Sequence, residues 1–325
     1  MPNICAVVLT FNRKDLLEEC LAAILAQTRA CTRVLVVDNA STDGTFEMLE
    51  DRWAGRVEVH RLPVNIGAAG GFNRGMRLGH LSGADFLWVM DDDVIPEPDA
   101  LEKLVEARAS LAERAIDPPF LLSVARSPKG IVTNTPDIDR ARNALSYADW
   151  PALLGEGLVA VQRATFVSIL LPRATLDRFG LPIADMFIWG EDTEFTVRVT
   201  RQQPGYIVGR SAVTHVRQLD GRLDIRTETN PARIGYHHHY IRNQIYTFRT
   251  YYSRRSTMRL VWEKVRTALG LARRGEFRKA GIVARATLAG LSFEPAVEQA
   301  GASFDRTGMR ILSVEEGQAF AQNAA

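Results

Sequence analysis

Phe86-Leu-Trp-Val-Met-Asp91-Asp92-Asp93 is a run of five apolar residues that stops at three carboxylates. A short apolar run bounded in this way predicts a buried strand. Acids at its end put hard oxygen donors where an open α/β sheet binds its ligand, and such donors suit a divalent cation. Aspartate-rich turns also occur in ordinary loops, so the reading depends on what surrounds the stretch.

Upstream, residues 4–10 and 34–38 are two further apolar runs, with Leu17, Leu21, Ile24 and Leu25 at helical spacing between them. Strand, helix, strand predicts the start of a parallel sheet. Thr10-Phe-Asn12-Arg13 and the segment from Asp38 to Thr45 each follow a strand, where side chains converge on a ligand. Asp38 can accept hydrogen bonds from a pyrimidine or a ribose, and Ser41 or Asp43 is the expected cap of a helix from Thr45. Residues 57–61 predict a third strand. It leads into Asn65-Ile-Gly67-Ala-Ala-Gly70-Gly71-Phe72-Asn73-Arg74-Gly75. Glycines ahead of a helix allow close backbone approach to a diphosphate, which Arg74 can neutralise. The stretch lacks both the G-x-G-x-x-G dinucleotide fingerprint and the G-x-x-x-x-G-K-[ST] phosphate loop, which argues against those two nucleotide folds.

Downstream, a helix is expected over 100–115 and a strand over 120–124. The polar, proline-containing stretch 126–139 reads as a mobile loop, either an active-site lid or a plain surface excursion. After a strand at 166–171 and a helix at 173–179, Phe187-Ile-Trp189-Gly190-Glu191-Asp192-Thr193-Glu194 introduces a helix expected over 193–202. Asp192 would be its N-cap. The same position keeps a carboxylate ionised, as a general base requires. Strands at 206–209 and 212–215 complete the sheet, and His215 ends the last within reach of a metal held by the aspartates. Ile234, His238, Ile241, Ile245, Phe248 and Tyr252 predict an amphipathic helix over 234–252. His237, His238 and His239 are consecutive and cannot share one helix face, so a three-histidine metal site is rejected.

At 325 residues, 46% hydrophobic and 24% charged, the chain can bury a large core. No run reaches the roughly 18 apolar residues of a membrane span. The N-terminus enters a strand without a secretory pattern, so a cytoplasmic location is expected. Cys5, Cys20 and Cys31 lack metal-ligand spacing and are expected as buried thiols. The net charge of +2 conceals an asymmetry, because residues 253–290 carry ten Lys/Arg against Glu263 and Glu276, a local balance of +8. Met258, Val261, Trp262, Val265 and Leu269 are expected along one face of a basic helix there. Contact of 253–290 with the anionic inner face of a membrane and packing on the body both fit this pattern. Nucleic acid fits poorly, for want of interleaved aromatics or a known motif.

Five motifs in order, Val8-Leu-Thr10-Phe-Asn12-Arg13, Val37-Asp38-Asn39-Ala-Ser-Thr-Asp43-Gly44, Asn65-Ile-Gly67, Asp91-Asp92-Asp93 and Trp189-Gly190-Glu191-Asp192, resemble those of inverting GT-A glycosyltransferases of the large family 2 type. The resemblance covers about residues 3–252. It implies an α/β fold, Rossmann-like with a mostly parallel sheet flanked by helices, in a unit 1–252, followed by a basic helical extension 253–325. Gly70-Gly71-Phe72, His215 and Tyr240-Ile-Arg242-Asn243-Gln are similar to bacterial galactofuranosyltransferases, including those acting on polyprenyl-diphosphate-linked acceptors. Rhamnosyltransferases using a dTDP-sugar share much of the pattern. The resemblance implies that Thr10, Asn12 and Asp38 hold the nucleoside and that the acids of Asp91-Asp92-Asp93 meet the metal and diphosphate; Arg13, Asn65, Arg74, Asp91 and Asp92 are candidates for donor nucleotide binding beside them, and Trp189 for acceptor contact. It also implies Asp192 as the base, with Glu191 as a possible second acid, and Mn²⁺ or Mg²⁺ on Asp91, Asp93 and His215. The third Asp leaves the ligand register open; Asp91 and Asp93 fall on one side of an extended segment and are favoured. The expected partners are a UDP- or dTDP-linked sugar, above all UDP-galactofuranose, and a glycan or polyprenyl-diphosphate-linked acceptor. Competing classes are a sugar-phosphate nucleotidyltransferase, for which no Gly-rich, Arg/Lys-bearing loop follows the first strand, and a donor-binding protein without turnover.

Overall fold

A computed structural model describes residues 2–216 and 223–314. The chain begins β1 (Ile4–Thr10), α1 (Lys14–Leu25), β2 (Arg33–Asp38), α2 (Thr45–Trp53), β3 (Glu58–Arg61), α3 (Gly67–Leu81) and β4 (Phe86–Asp91). β1 is buried along its whole length because it is covered on both faces. Its side chains alternate between two cores: Ile4, Ala6 and Val8 join Trp88 and Met90 on one face, while Cys5, Val7 and Leu9 join Leu87 and Val89 on the other.

The strands β3, β2, β1 and β4 pair in parallel. Beyond β4 the chain continues through β5 (Val94–Pro96), α4 (Ala100–Glu113), β6 (Leu121–Arg126), β7 (Val132–Thr133), β8 (Asp137–Ile138), β9 (Leu158–Arg163) and β10 (Ile169–Pro172). After α5 (Arg173–Phe179) and α6 (Glu191–Val199) comes β11 (Gly205–His215). The sheet order is β12-β3-β2-β1-β4-β10-β6-β11-β9-β8, where β12 is Arg310–Leu312. β10, β9 and β12 run antiparallel to their neighbours, so the second half of the sheet is mixed. The two strands expected at 206–215 are one, bent by a bulge between Val208 and Ala212. The stretch expected as a mobile loop carries β7 and β8, which pair with β6 and β9.

The glycine-rich stretch corrects its reading from sequence. It is helical from Gly67 onward, and Gly71, Gly75 and, one turn further, Gly79 face the sheet: a Cβ on Gly71 would lie 2.3 Å from Leu9, on Gly75 2.6 Å from Val7 and on Gly79 2.9 Å from Leu87. Their absent side chains let α3 lie close on β1 and β4 rather than admitting a diphosphate. Gly75→Ala is therefore expected to destabilise the fold by about 1–3 kcal/mol through overpacking. A urea melt reads this, and an unmoved midpoint would remove the packing role.

Three helices end the fold, α7 (Pro231–Tyr251), α8 (Arg254–Arg273) and α9 (Phe277–Ser292). Ile234, Ile241 and Ile245 of α7 share a core with Leu260 and Leu271 of α8 and with Ile282, Val283 and Ala286 of α9. The chain then returns to the sheet through β12. On the way, Arg77 donates to the carbonyls of Gln299 and Ala302. Among the described residues, no helix is long and apolar enough to cross a membrane.

Candidate active site

The register of the parallel strands sets Thr10 beside Asp38, and Leu9 beside Asp91. Three loops therefore open at one edge, and hydrogen bonds join them. Asn39 Nδ2 donates to Asn65 Oδ1 and to the carbonyl of Gly67, and Asn65 Oδ1 also accepts from Gly67 N. Asn12 takes a left-handed backbone (φ 55°); its N–H donates to Ser41 Oγ and its Oδ1 accepts from Thr42 N. Asp38 is fully buried beneath these loops. Its Oδ1 accepts from Ser41 N at 2.8 Å, whereas Oδ2 has no hydrogen-bond partner and only Arg61 Nε, 3.6 Å away, for a counter-charge. Burial raises its carboxyl above the ordinary range, against the opposing pull of Ser41 and Arg61. An orphaned, buried acceptor of this kind is uncommon without a ligand to donate to it.

Two residues expected to touch the nucleotide are instead tied to the acids. Thr10 Oγ1 donates to Asp92 at 2.7 Å, and Arg13 Nη1 bridges Asp92 (3.1 Å) and Asp93 (2.6 Å). Arg74 is turned away altogether: its guanidinium stacks on Phe304 and donates to the carbonyl of Asp305. The guanidinium expected to help a diphosphate is thus engaged by the C-terminal segment.

The three aspartates are not equivalent. β4 ends at Asp91 and the chain turns before β5, so the alternation expected for an extended segment does not apply. Asp91 is partly exposed, while Asp92 and Asp93 are buried. Burial and the neighbouring Asp93 and Asp92 push the Asp91 carboxyl well up. Burial carries Asp92 up to about 6 despite Arg13 and Thr10. For Asp93, contacts with His215 and Arg13 outweigh burial and hold the carboxyl below its ordinary range. His215 Nδ1 lies 2.8 Å from Asn134 Oδ1, an oxygen that can only accept, so Nδ1 is the donor in this pair. Nε2 is left facing Asp93 Oδ1 at 3.2 Å, and that oxygen has no aligned hydrogen bond.

A carboxylate oxygen opposite an imidazole whose other nitrogen is fixed by an amide is a donor pair that fits a divalent cation. Among the described residues, no three His, Cys, Asp or Glu side chains are already gathered as a metal cage. Asp93 and His215 are brought together; Asp91 lies at the rim, and Arg13 fills the space between Asp92 and Asp93.

The second group of acids sits on α6. Gly190 (φ 116°) is its cap residue, so the helix starts at Glu191, two residues before the expected start. Asp192 is thus in the first turn and not the N-cap: its Oδ1 accepts from the adjacent Thr193 N. The left-handed glycine permits this sharp entry. Phe187 and Trp189 also have positive φ. The turn is clamped by buried Asn243, whose Nδ2 donates to the carbonyls of Met186, Ile188 and Trp189. Trp189 packs edge-on against Tyr236 and Tyr240 and near His237, with Arg233 over its ring, while His239 lies on Phe187. The histidine run therefore supports this turn from two sides.

Glu191 is buried with Oε2 unpartnered, and burial followed by Asp192 pushes its carboxyl well up. Asp192 is partly exposed; burial raises its carboxyl, offset in part by Thr193 and by Arg163. The charge of Asp192 acts on Asp91 and helps to raise its carboxyl. Arg163, held bidentate by Asp137, Asn134 and Asn243 were not assigned roles from sequence. Asn243 lies in the Tyr240–Gln244 motif already quoted, and Asn134 was hidden in the polar stretch read as a loop.

Residues 5–114 match the family model described as Glycosyl transferase family 2. Galactofuranosyltransferase GlfT1 of Mycobacterium tuberculosis is 31% identical over 211 residues, covering 61% of this chain and 65% of that protein. The chain therefore spans slightly less than two thirds of that relative's length. Among solved structures, S. aureus TarS (residues 1–349) aligns with a TM-score of 0.51 at 15% identity, over 89% of this chain and 91% of that one. GalNAc-T7 in complex with UDP, GalNAc and Mn²⁺ aligns with a TM-score of 0.53 at 14% identity, over 76% of this chain and 50% of that one. At these identities the structural likeness speaks for the fold alone.

Proposed function

From the premise that the chain carries a glycosyltransferase family 2 domain on a GT-A-like fold, we propose that it is an inverting, divalent-cation-dependent glycosyltransferase that moves galactofuranose from UDP-galactofuranose to a lipid-linked glycan. The observation carrying this reading is the meeting, at one sheet edge, of Asp38 with its unpartnered oxygen and the Asp91–Asp93 acids, with Asp192 of α6 near enough for its charge to act on Asp91. Asp38 Oδ2 would accept from the nucleoside, with Asn12 and Asn65 shaping the loops around it. Asp93 and His215, with Asp91 at the rim, would hold Mn²⁺ or Mg²⁺. Bound there, the cation would neutralise charge on the departing diphosphate. Trp189, with Tyr236 and Tyr240 packed edge-on beside it, would contact the acceptor sugar.

In the transfer, Asp192 takes the proton of the acceptor hydroxyl. The hydroxyl oxygen bonds to the anomeric carbon as the bond to the diphosphate breaks, and the nucleoside diphosphate leaves with the electron pair. One displacement inverts the anomeric centre, and no second carboxylate is needed as a nucleophile. Proton NMR of the product is expected to give the anomer opposite to the donor's; retention would overturn the single-displacement mechanism. The dTDP-rhamnose reading stays the second choice because it uses the same acids.

We also propose the division into a catalytic unit, 1–252, and an extension, 253–325, that docks at the cytoplasmic face of a membrane. Supporting this, α8 exposes a stripe of Met258 (72% exposed), Trp262 (62%), Val265 and Leu269, edged by Arg255, Arg259, Arg266 and Arg273. An apolar stripe edged by cations is the pattern of a helix lying in an anionic interface. Sedimentation with phosphatidylglycerol vesicles is expected to be salt-sensitive and to weaken when Arg273, Arg274, Arg278 and Lys279 become Gln. Binding absent at low salt, or unmoved by these changes, would return the segment to structural packing.

A further inference from the structure

Between α8 and the segment 223–226 lies an open cavity of about 510 Å³. Arg226, Arg259, Arg266 and Arg274 line it together with Trp262, and Glu263 is the one acid in its wall. Arg226 is paired with Asp224, and Glu263 with Lys264. Arg259, Arg266 and Arg274 have no ion-pair partner among the described residues. Arg259 and Arg266 are two helical turns apart and project from the same side of α8.

A second cavity, of about 420 Å³, shares Arg226, Glu263 and Thr267 with the first and continues to His237 and Tyr240. The rings of these two residues lie 5.3 and 6.2 Å from that of Trp189. The two cavities adjoin through these shared residues and form a trough from the arginines to His237 and Tyr240, whose rings pack around Trp189, two and three residues before Glu191 and Asp192. Guanidinium forks match phosphate oxygens in geometry as well as charge. Trp262 belongs both to the arginine cavity and to the exposed apolar stripe, so an anion bound there would have an apolar surface beside it.

We propose that this trough is the acceptor subsite, and that its arginine end holds the diphosphate of a lipid-linked acceptor, whose hydrocarbon chain leaves over Trp262 along Met258, Val265 and Leu269. The inference rests on the transfer reaction above for the identity of the other end of the trough.

Calorimetric titration of the full chain with farnesyl diphosphate tests it without any sugar donor, so its result is read independently of turnover. Farnesyl diphosphate is expected to bind, inorganic pyrophosphate to bind more weakly, and farnesol not to bind. Arg259→Gln with Arg266→Gln is expected to weaken farnesyl diphosphate at least tenfold, with Lys at both positions intermediate, while Arg254→Gln with Arg285→Gln, outside both cavities, leaves it unchanged. Circular dichroism checks that each variant is folded. Equal losses from both pairs would overturn the subsite in favour of general charge. So would absent binding, or a preference for phosphatidylglycerol vesicles with no affinity for farnesyl diphosphate, which would reduce the arginines to membrane contacts. In turnover, the first pair is expected to raise KM for a lipid diphosphate acceptor with kcat retained, the signature of lost remote binding; a loss confined to kcat would contradict it.

Discussion

Asp192→Asn is expected to lower kcat by about 10²–10⁴-fold, the usual value of general-base assistance, with the melting temperature and the donor affinity nearly unchanged. The structure makes the substitution a clean one. Gly190 occupies the cap position, and the amide oxygen of asparagine can still accept from Thr193 N as Asp192 Oδ1 does. What disappears is the basic carboxylate. Glu191 is a poor substitute, because burial and the charge of Asp192 push its carboxyl well up and leave it in the protonated form more readily. Glu191→Gln is therefore expected to be the milder change. Activity retained within a few fold in Asp192→Asn, together with collapse in Glu191→Gln, would exchange the two roles.

Removal of divalent cations is expected to abolish turnover, and added Mn²⁺ or Mg²⁺ to restore it. Asp91, Asp92 and Asp93 stand at the same edge as Asp38, and among the described residues Arg13 is the one Lys or Arg in an ion pair with them. A donor diphosphate entering such a site meets net negative charge unless a cation accompanies it. Mn²⁺ binding, followed by electron paramagnetic resonance in the presence of UDP, reads the site apart from catalysis. His215→Ala is expected to weaken it strongly. Asn134→Ala is expected to weaken it about 10–100-fold, because the amide fixes which imidazole nitrogen faces Asp93. Full activity after chelation, or Mn²⁺ binding indifferent to both changes, would remove Asp91, Asp93 and His215 from the metal role together.

The parallel half of the sheet was legible because strands buried on both faces leave uninterrupted apolar runs, as residues 4–10, 34–38 and 86–90 do. The acids at the strand ends were legible for the same reason: an abrupt change from apolar to charged marks the edge. Long-range neighbours decided what was not. Gly71 and Gly75 look alike whether they admit a phosphate or a sheet, and only Leu9 and Val7 across the interface distinguish the two. Arg74 follows the sequence logic of a phosphate ligand until Phe304 and Asp305, more than 200 residues later, claim its guanidinium. Asn134 lay in a stretch whose prolines and polar residues concealed two short strands, and its role depends on His215 from a different strand. The apolar residues of α8 were visible from their spacing, but their exposure was not: Val261 packs against the helical core while Met258, Trp262, Val265 and Leu269 face outward.

The central claim is most directly tested by nucleoside diphosphate release across a donor panel of UDP-galactofuranose, UDP-hexopyranoses and dTDP-rhamnose, with Mn²⁺ and a polyprenyl-diphosphate-linked glycan. The account predicts acceptor-dependent release of UDP from UDP-galactofuranose, lost in Asp192→Asn. Donor binding without release from any member of the panel, or pyrophosphate release from a nucleoside triphosphate instead, would contradict it.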